Sequence, residues 1–415
     1  MTTSAITTQR HTAVEQLAPV LSDATPVFGV VDFNVLDQLV EQLGEIYPEA
    51  WLTHTVSVQT MRLPGVLEHF RARGLSVHTR SEVEYEIARR CGYTNAEISH
   101  TPPVKSREQL SRIIDDELSF CIENFAELTR VDELLADPDN YAGTIGLRVT
   151  PQASADDNAT VNAHLGIGLR DHRRDLIETF LERSWLTELY VSFDTPPTTL
   201  QQTAEQVSAV YQFAEDIEHA VGGQRIQQLH FGSGLSGNEV SDDLLSSLDN
   251  HRFVHQAMIP ELLDQKYTIT RDFSEFLTAK AGMLLARVEY TKDLDDRMIA
   301  VVHADAFPDP QHTRIAAFDS DGVHKDTLQH YYYDVAGPTG LVAQRVELPE
   351  LEEGDVLAIL DVGATAFSST STGITPVYGI RGDGLLTESS VLNRGQSIQD
   401  QTDAAGIYQP AKLLH

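Results

Sequence analysis

The stretch Ala50–Thr79, AWLTHTVSVQTMRLPGVLEHFRARGLSVHT, reads as a strand, a helix ending on Gly74 and a second strand. This strand-helix beat extends in both directions. Upstream, VFGVVD (27–32) precedes Leu36, Leu39, Val40 and Leu43, spaced to share one helical face. Downstream, short apolar runs alternate with helical segments over 81–91, 107–114, from Asn124, 173–183 and 201–220, up to about Phe253. About eight such units imply a parallel sheet covered by helices and closed into a barrel, with an open doubly wound sheet as the rival arrangement. Beyond about residue 270 the texture changes. MLLARVEYT, RMIAVVHAD, RIAAF, QHYYYDV, DVLAILDV and TPVYGI are strands separated by turns, the pattern of a mostly antiparallel β domain. The expected fold is thus a TIM-like α/β barrel plus a C-terminal β domain. Its expected parts are an N-terminal arm and strand joining the β domain (1–34), the barrel (35–270) and the β domain (271–415).

The 415 residues carry 62 acidic and 30 basic side chains, a formal charge of −32. No run of basic residues exceeds two, which argues against a polyanion partner such as nucleic acid. Cys91 and Cys121 are too far apart in sequence to suggest a zinc ribbon or a disulfide framework. No run of apolar residues approaches eighteen, and residues 1–17 lack a signal-peptide core, so a cytoplasmic protein with no membrane partner is expected.

Several segments, in order, resemble the fold-type III pyridoxal-phosphate decarboxylases, such as diaminopimelate and ornithine decarboxylases. TPVFGVVDFNVLDQLV (25–40) is similar to the family's opening strand and helix, and Arg148-Val149-Thr150-Pro151 to its Arg-x-Asn-Pro turn. HFGSGLSG (230–237) resembles its phosphate-cradling glycine turn, and LPELEEGDVLAILDVGATAF (348–367) the segment bearing a Gly-Ala-Tyr turn. Ser81-x-x-Glu84 and Lys105 also fall at family-like places. The resemblance implies an alanine-racemase-type barrel and a head-to-tail homodimer whose pockets are completed by the other chain.

The same comparison exposes departures. Ser57, in HTVSVQ (54–59), stands where the resemblance places the lysine that forms an imine with the cofactor, and a hydroxyl cannot form one. The six lysines, at 105, 266, 280, 292, 325 and 412, include none in that strand. Ser192-Phe193-Asp194-Thr195 matches the segment whose histidine stacks on the ring. Asp272-Phe273-Ser274-Glu275 matches Glu-Pro-Gly-Arg, so Asp272 keeps an acid while Glu275 replaces a phosphate-binding cation. Gly337-Pro338-Thr339-Gly340-Leu341 lacks the cysteine and aspartate of the proton-donating segment, and Thr365 stands where a tyrosine is expected. On these grounds no cofactor is expected, pyridoxal phosphate remaining only if held non-covalently.

His54, His78, His100 and His230 each lie in or at the end of a barrel strand, where two or three could meet. His78 is the first choice for a functional side chain, as a general base, a metal ligand or a satisfied core histidine. No metal site is expected. His78, Asp194 and Asp272 are the candidate catalytic residues. Candidate ligand contacts are Ser57, His54, Ser192, Thr195, Glu275, Thr365 and the turn Gly232-Ser233-Gly234. The polar replacements favour a cleft for an amino-acid-derived small molecule, repurposed as a pyridoxal-phosphate-independent enzyme. The alternatives are a non-catalytic regulator or scaffold associating with an active relative, and a decarboxylase using non-covalently held cofactor. Three tyrosines in QHYYYDV (329–335) alternate between strand faces, so at least one points away from the core, as a dimer surface would require.

Overall fold

In a computed structural model the protein is described at residues 8–151, 165–191, 200–232, 244–307, 310–311, 313–364, 366–367 and 375–395. The chain divides into two compact units. One takes 40–236 and 241–274, and the other takes 1–39, 237–240 and 275–415.

The second unit is built on β1 (Val27–Asp32), while the first is built on parallel strands β2 (Leu52–Ser57), β3 (Ser76–Thr79), β4 (Ile98–His100), β5 (Phe120–Ile122), β6 (Ile145–Thr150), β8 (Leu186–Val191), β9 (Gln228–Phe231) and β10 (Thr268–Asp272). A two-residue strand, β7 (Ile167–Gly168), is added against β6. The spatial order β4-β3-β2-β10-β9-β8-β6-β5 leaves β4 and β5 at the ends. They meet through one bridge, Ser99 to Ser119, with the His100 amide donating to the Ser119 carbonyl at 2.8 Å. Eight strands therefore close, as the strand-helix beat requires.

Strand alternation explains the sequence of each barrel strand. Val56, Val77, Ile98, Phe120, Leu147, Leu189, Leu229 and Ile269 occupy equivalent, buried positions along neighbouring strands and form the face against which helices pack. The intervening residues face the lumen and are mostly polar, where barrels of this kind usually hold branched apolar side chains. Caps start the helices that follow the strands. Ser81 accepts from the Glu84 amide at 3.2 Å, Ser106 and Gln109 form a capping box, and Asn124 accepts from the Glu127 amide at 2.9 Å. Ser81-x-x-Glu84 is thus a helix start. Its glutamate also takes the Arg80 amide at 2.7 Å.

In the β unit, β1 runs antiparallel to β11 (Gly282–Asp293) and parallel to β17 (Pro376–Ile380). Strands β12 (Met298–Val302), β13 (Arg314–Phe318), β14 (His330–Gly337), β15 (Gly340–Pro349), β16 (Val356–Leu360) and β18 (Val391–Arg394) complete a mostly antiparallel sheet. Leu284, Val302, Val335, Leu357 and Ile359 lie in one of its apolar clusters. In the tyrosine run Tyr333 is fully buried and its hydroxyl accepts from the Leu351 amide at 3.1 Å, whereas Tyr332 is exposed. The fold class read from the sequence holds.

Gly282 and Gly363 set a close backbone crossing here, a Cβ on Gly282 falling 2.3 Å from the Gly363 Cα. A Cβ on Gly363 would lie 2.0 Å from the Thr278 carbonyl oxygen. Gly363→Ala is expected to destabilise the chain by roughly 2–3 kcal/mol. The check is a lower urea midpoint with an unchanged slope.

Candidate functional site

The barrel lumen gathers polar side chains from non-adjacent strands. Arg148 of β6 is 3 % exposed and pairs with Glu123, just beyond β5, at 3.0 Å. It also donates to the Thr101 carbonyl at 3.2 Å and lies 4.5 Å above the ring of Tyr190 on β8. Burial disfavours its charge, but Cys121, Glu123 and Tyr190 outweigh that and push its pKa up. The Cys121 thiol beside it is pushed up to about 12 by burial, which keeps it protonated and inert.

Tyr190 links this pair to the histidines. Its hydroxyl is 3.1 Å from His78 Nε2, and its ring lies 4.2 Å from that of His230. His78 Nε2 also contacts the Thr101 hydroxyl closely. Burial, followed by His230 and Arg148, holds the His78 pKa well below its ordinary value, so the imidazole is neutral at pH 7. His78 and His230 have ring centroids 5.9 Å apart. His230 is fully buried, and neither ring nitrogen has a hydrogen-bond partner among the described residues, although Glu188 lies 3.5 Å from Nδ1. The Thr55 hydroxyl is likewise without a partner among the described residues. Unpaired polar atoms in a buried lumen mark places where a bound group or water has contacts to make.

Asp272 closes β10 on the same face. Its Oδ1 accepts from the Ser274 amide at 2.8 Å and from the Ser274 hydroxyl. Burial raises its pKa, opposed by those bonds and by His230 and Arg80. Ser57 ends β2 level with His78 of β3, and its amide donates to Ser274 Oγ at 2.5 Å. Gly232 follows β9, and a Cβ there would be 3.7 Å from the Tyr190 hydroxyl.

The structure therefore brings Ser57, His78 and Asp272 to the lumen side of their strands, and adds His230. His54 and His100 do not join them. His54 packs against Tyr47 and Phe273, and His100 binds the Thr79 hydroxyl at 2.8 Å, both on the helix-facing side. The reason is parity: His54 is three residues from Ser57, and His100 pairs with Thr79 rather than His78. Glu275 is exposed in the first turn of helix Ser274–Ala279 and belongs to the β unit. Asp194, Ser192, Thr195, Ser233, Gly234 and Thr365 lie outside the described residues. Among the described residues no cluster of His, Cys, Asp and Glu suits a metal. Among the described residues no helix is long and apolar enough to cross a membrane.

Sequence reasoning passed over Tyr190, Glu188 and Glu123, and took Arg148 only as part of a turn. The available signal was a charged or aromatic residue at alternate positions of the short strands in IGLRVT and LTELYV. Within the β unit, His303 pairs with Glu289 at 3.4 Å and Asp305 accepts from the Thr339 hydroxyl at 3.2 Å.

The two helix-facing histidines make a pH prediction. Burial lowers both His54 and His100 to about 4, with the Lys105 charge adding to the effect on His100. The unfolded chain takes up those protons near pH 6.5 and the folded chain only near 4. Stability from these sites is therefore full above about pH 6.5 and declines as pH falls toward 4, by up to roughly 3 kcal/mol per histidine. Urea titrations across this window should show a shallower pH slope for His100→Gln.

Comparison with known proteins adds the family. The profile for "Pyridoxal-dependent decarboxylase, pyridoxal binding domain" matches residues 54–251. Diaminopimelate decarboxylase of Pseudomonas aeruginosa is 24% identical over 312 residues, 72% of each chain. A crystal structure of diaminopimelate decarboxylase superposes with a TM-score of 0.76 at 17% identity, covering 98% of this chain and 100% of that one. The Helicobacter pylori diaminopimelate decarboxylase complexed with L-lysine gives 0.73 at 17% identity, covering 92% and 97%. These matches overturn the expectation of no cofactor, because the matched region is a pyridoxal-binding domain. Departures at individual contacts had been given more weight than the persistence of the domain built to hold the group. The described part of the site fits pyridoxal phosphate as a ligand. Asp272 supplies an acid for a ring nitrogen, and a cationic nitrogen beside it would offset the upward pull of burial on its pKa. Barrel, β domain and relatives agree, and residues 54–251 match the pyridoxal-binding domain of the pyridoxal-dependent decarboxylases, the family that this chain resembles.

Proposed function

We propose that the chain holds pyridoxal phosphate as a dissociable ligand, without a covalent anchor on the barrel, and presents it to a small amino-acid-derived substrate. The observation that carries this reading is Ser57 at the lumen end of β2, beside His78, with no lysine on any described barrel strand. Lys105 is committed elsewhere. Its buried ammonium pairs with Glu127 at 2.7 Å and donates to the Pro102 carbonyl at 2.7 Å. Lys266 lies at the opposite ends of the strands, just before β10, held by Glu215 and Glu218.

When bound, the cofactor supplies an electron sink for bond cleavage at an amino-acid α-carbon. The chain's own residues do the positioning. Asp272, fixed by Ser274, would hold the ring nitrogen. His78, kept neutral, offers its Nε2 as a hydrogen-bond partner to the Tyr190 hydroxyl at 3.1 Å and so fixes that hydroxyl in the lumen. The L-lysine in the Helicobacter pylori enzyme agrees with a substrate bearing an amino-acid head. A homodimer is the assembly proposed for it.

Adding pyridoxal phosphate to the purified chain, reducing with borohydride and mapping peptides by mass tests the missing anchor. No pyridoxyl label on the barrel, together with cofactor removable by dialysis, is expected. Label on Lys105 would refute the reading. Ser57→Lys is expected to create a labelled site at that position. Asp272→Asn should weaken cofactor binding about tenfold, the worth of one charge-assisted hydrogen bond, as measured by fluorescence titration.

A further inference from the structure

On the outer face of β10 lies a second polar cluster, unconnected with the lumen. Thr270 and Asp272 face inward, so Arg271 between them faces helix Leu244–Met258. Arg271 is 4 % exposed. Its Nη1 donates to His251 Nε2 at 3.3 Å and His255 Nε2 at 3.5 Å, and its guanidinium carbon is 5.2 Å from the Phe231 ring centroid. Of five N–H donors, the three on Nε and Nη2 have no acceptor among the described residues, and no carboxylate pairs with the group.

The surroundings do not supply the missing charge. An arginine only donates, so both Nε2 atoms accept and both imidazoles are neutral. His255 Nδ1 then donates to the His251 carbonyl at 2.7 Å, and His251 Nδ1 to the Tyr47 oxygen at 2.5 Å. Burial keeps Tyr47 protonated, its pKa pushed up to about 12. Glu49, the nearby acid, is occupied by both terminal nitrogens of Arg252, with Nη1 at 3.0 Å. One positive charge is left in the interior without a counter-charge, a costly arrangement that proteins seldom leave unanswered.

Beside it is a small hollow with room for about one water-sized sphere, lined by Arg271, Arg252, Tyr47 and His255, with Leu262 and Ile269 as apolar wall. Gln256, also on the lining, is exposed and marks the opening. We propose that this cavity is a binding site for a small monovalent inorganic anion of about chloride size, neutralising Arg271. The single unmatched charge suits a monoanion. The apolar wall offers no further donors, which disfavours strongly hydrated anions such as fluoride and sulfate.

Crystals of the full chain soaked in sodium bromide should give a bromine anomalous peak within about 3.5 Å of the Arg271 guanidinium. In solution, chloride at five times its dissociation constant should raise the thermal midpoint by about 2 °C over gluconate at equal ionic strength. Fluoride should not do so, and Arg271→Gln should abolish the difference. Bromide peaks only elsewhere, or an equal chloride response in Arg271→Gln, would overturn the proposal. The anomalous map uses the unmodified protein, so it decides the question even if Arg271→Gln fails to fold.

Discussion

A guanidinium inside a barrel has no bulk water to solvate it, and the lumen of this protein is arranged around that fact. Arg148 meets Glu123 at 3.0 Å, and Tyr190 lies beneath its plane. The pair then fixes what surrounds it. Tyr190 carries its hydroxyl to His78 and its ring to His230, so the histidines are positioned by a residue that is itself positioned by the ion pair. Gly146 leaves room for Glu188, since a Cβ there would be 3.0 Å from the Glu188 side chain. Loss of one partner would leave a buried charge unmet, an effect of roughly 3–5 kcal/mol in comparable cases.

This arrangement divides the work between the two faces of each strand. The outward residues, such as Leu147, Leu189 and Leu229, supply the burial that holds helices to the sheet. The inward residues contribute little apolar burial and much electrostatic order. β10 shows the division within three residues. Thr270 and Asp272 belong to the lumen, whereas Arg271 belongs to the layer between sheet and helix.

The fold was legible because periodicity is a property of many residues at once. Strand-helix alternation over some 230 positions tolerates ambiguity in any one element, and the change of texture near residue 270 marks where it stops. The site was legible only in part. Ser57, His78 and Asp272 were located from their places in strands, but His54 and His100 were grouped with them on strand membership alone. Counting by twos from Ser57 would have sent His54 to the other face. The Arg148–Glu123 pair was harder to foresee, because it joins residues separated by 25 positions whose meeting depends on barrel closure. The cofactor was misjudged for a different reason. Individual contact residues can be exchanged while the barrel that surrounds the ligand persists, and binding energy is spread over many groups.

The closure of the barrel is uneven. Three-residue strands β4 and β5 join through a single bridge, whereas β6 and β8 pair along five positions. Such a cylinder behaves mechanically as a split ring. Its side chains keep their order while the slit is shut, and the slit is where the fewest interstrand bonds resist opening. Backbone amides flanking it would exchange with solvent through small local openings, while those of β6, β8 and β9 would wait for wider unfolding. Thr101, whose carbonyl and hydroxyl meet Arg148 and His78, directly follows the slit. Breathing there would loosen the lumen before it loosened the helical coat.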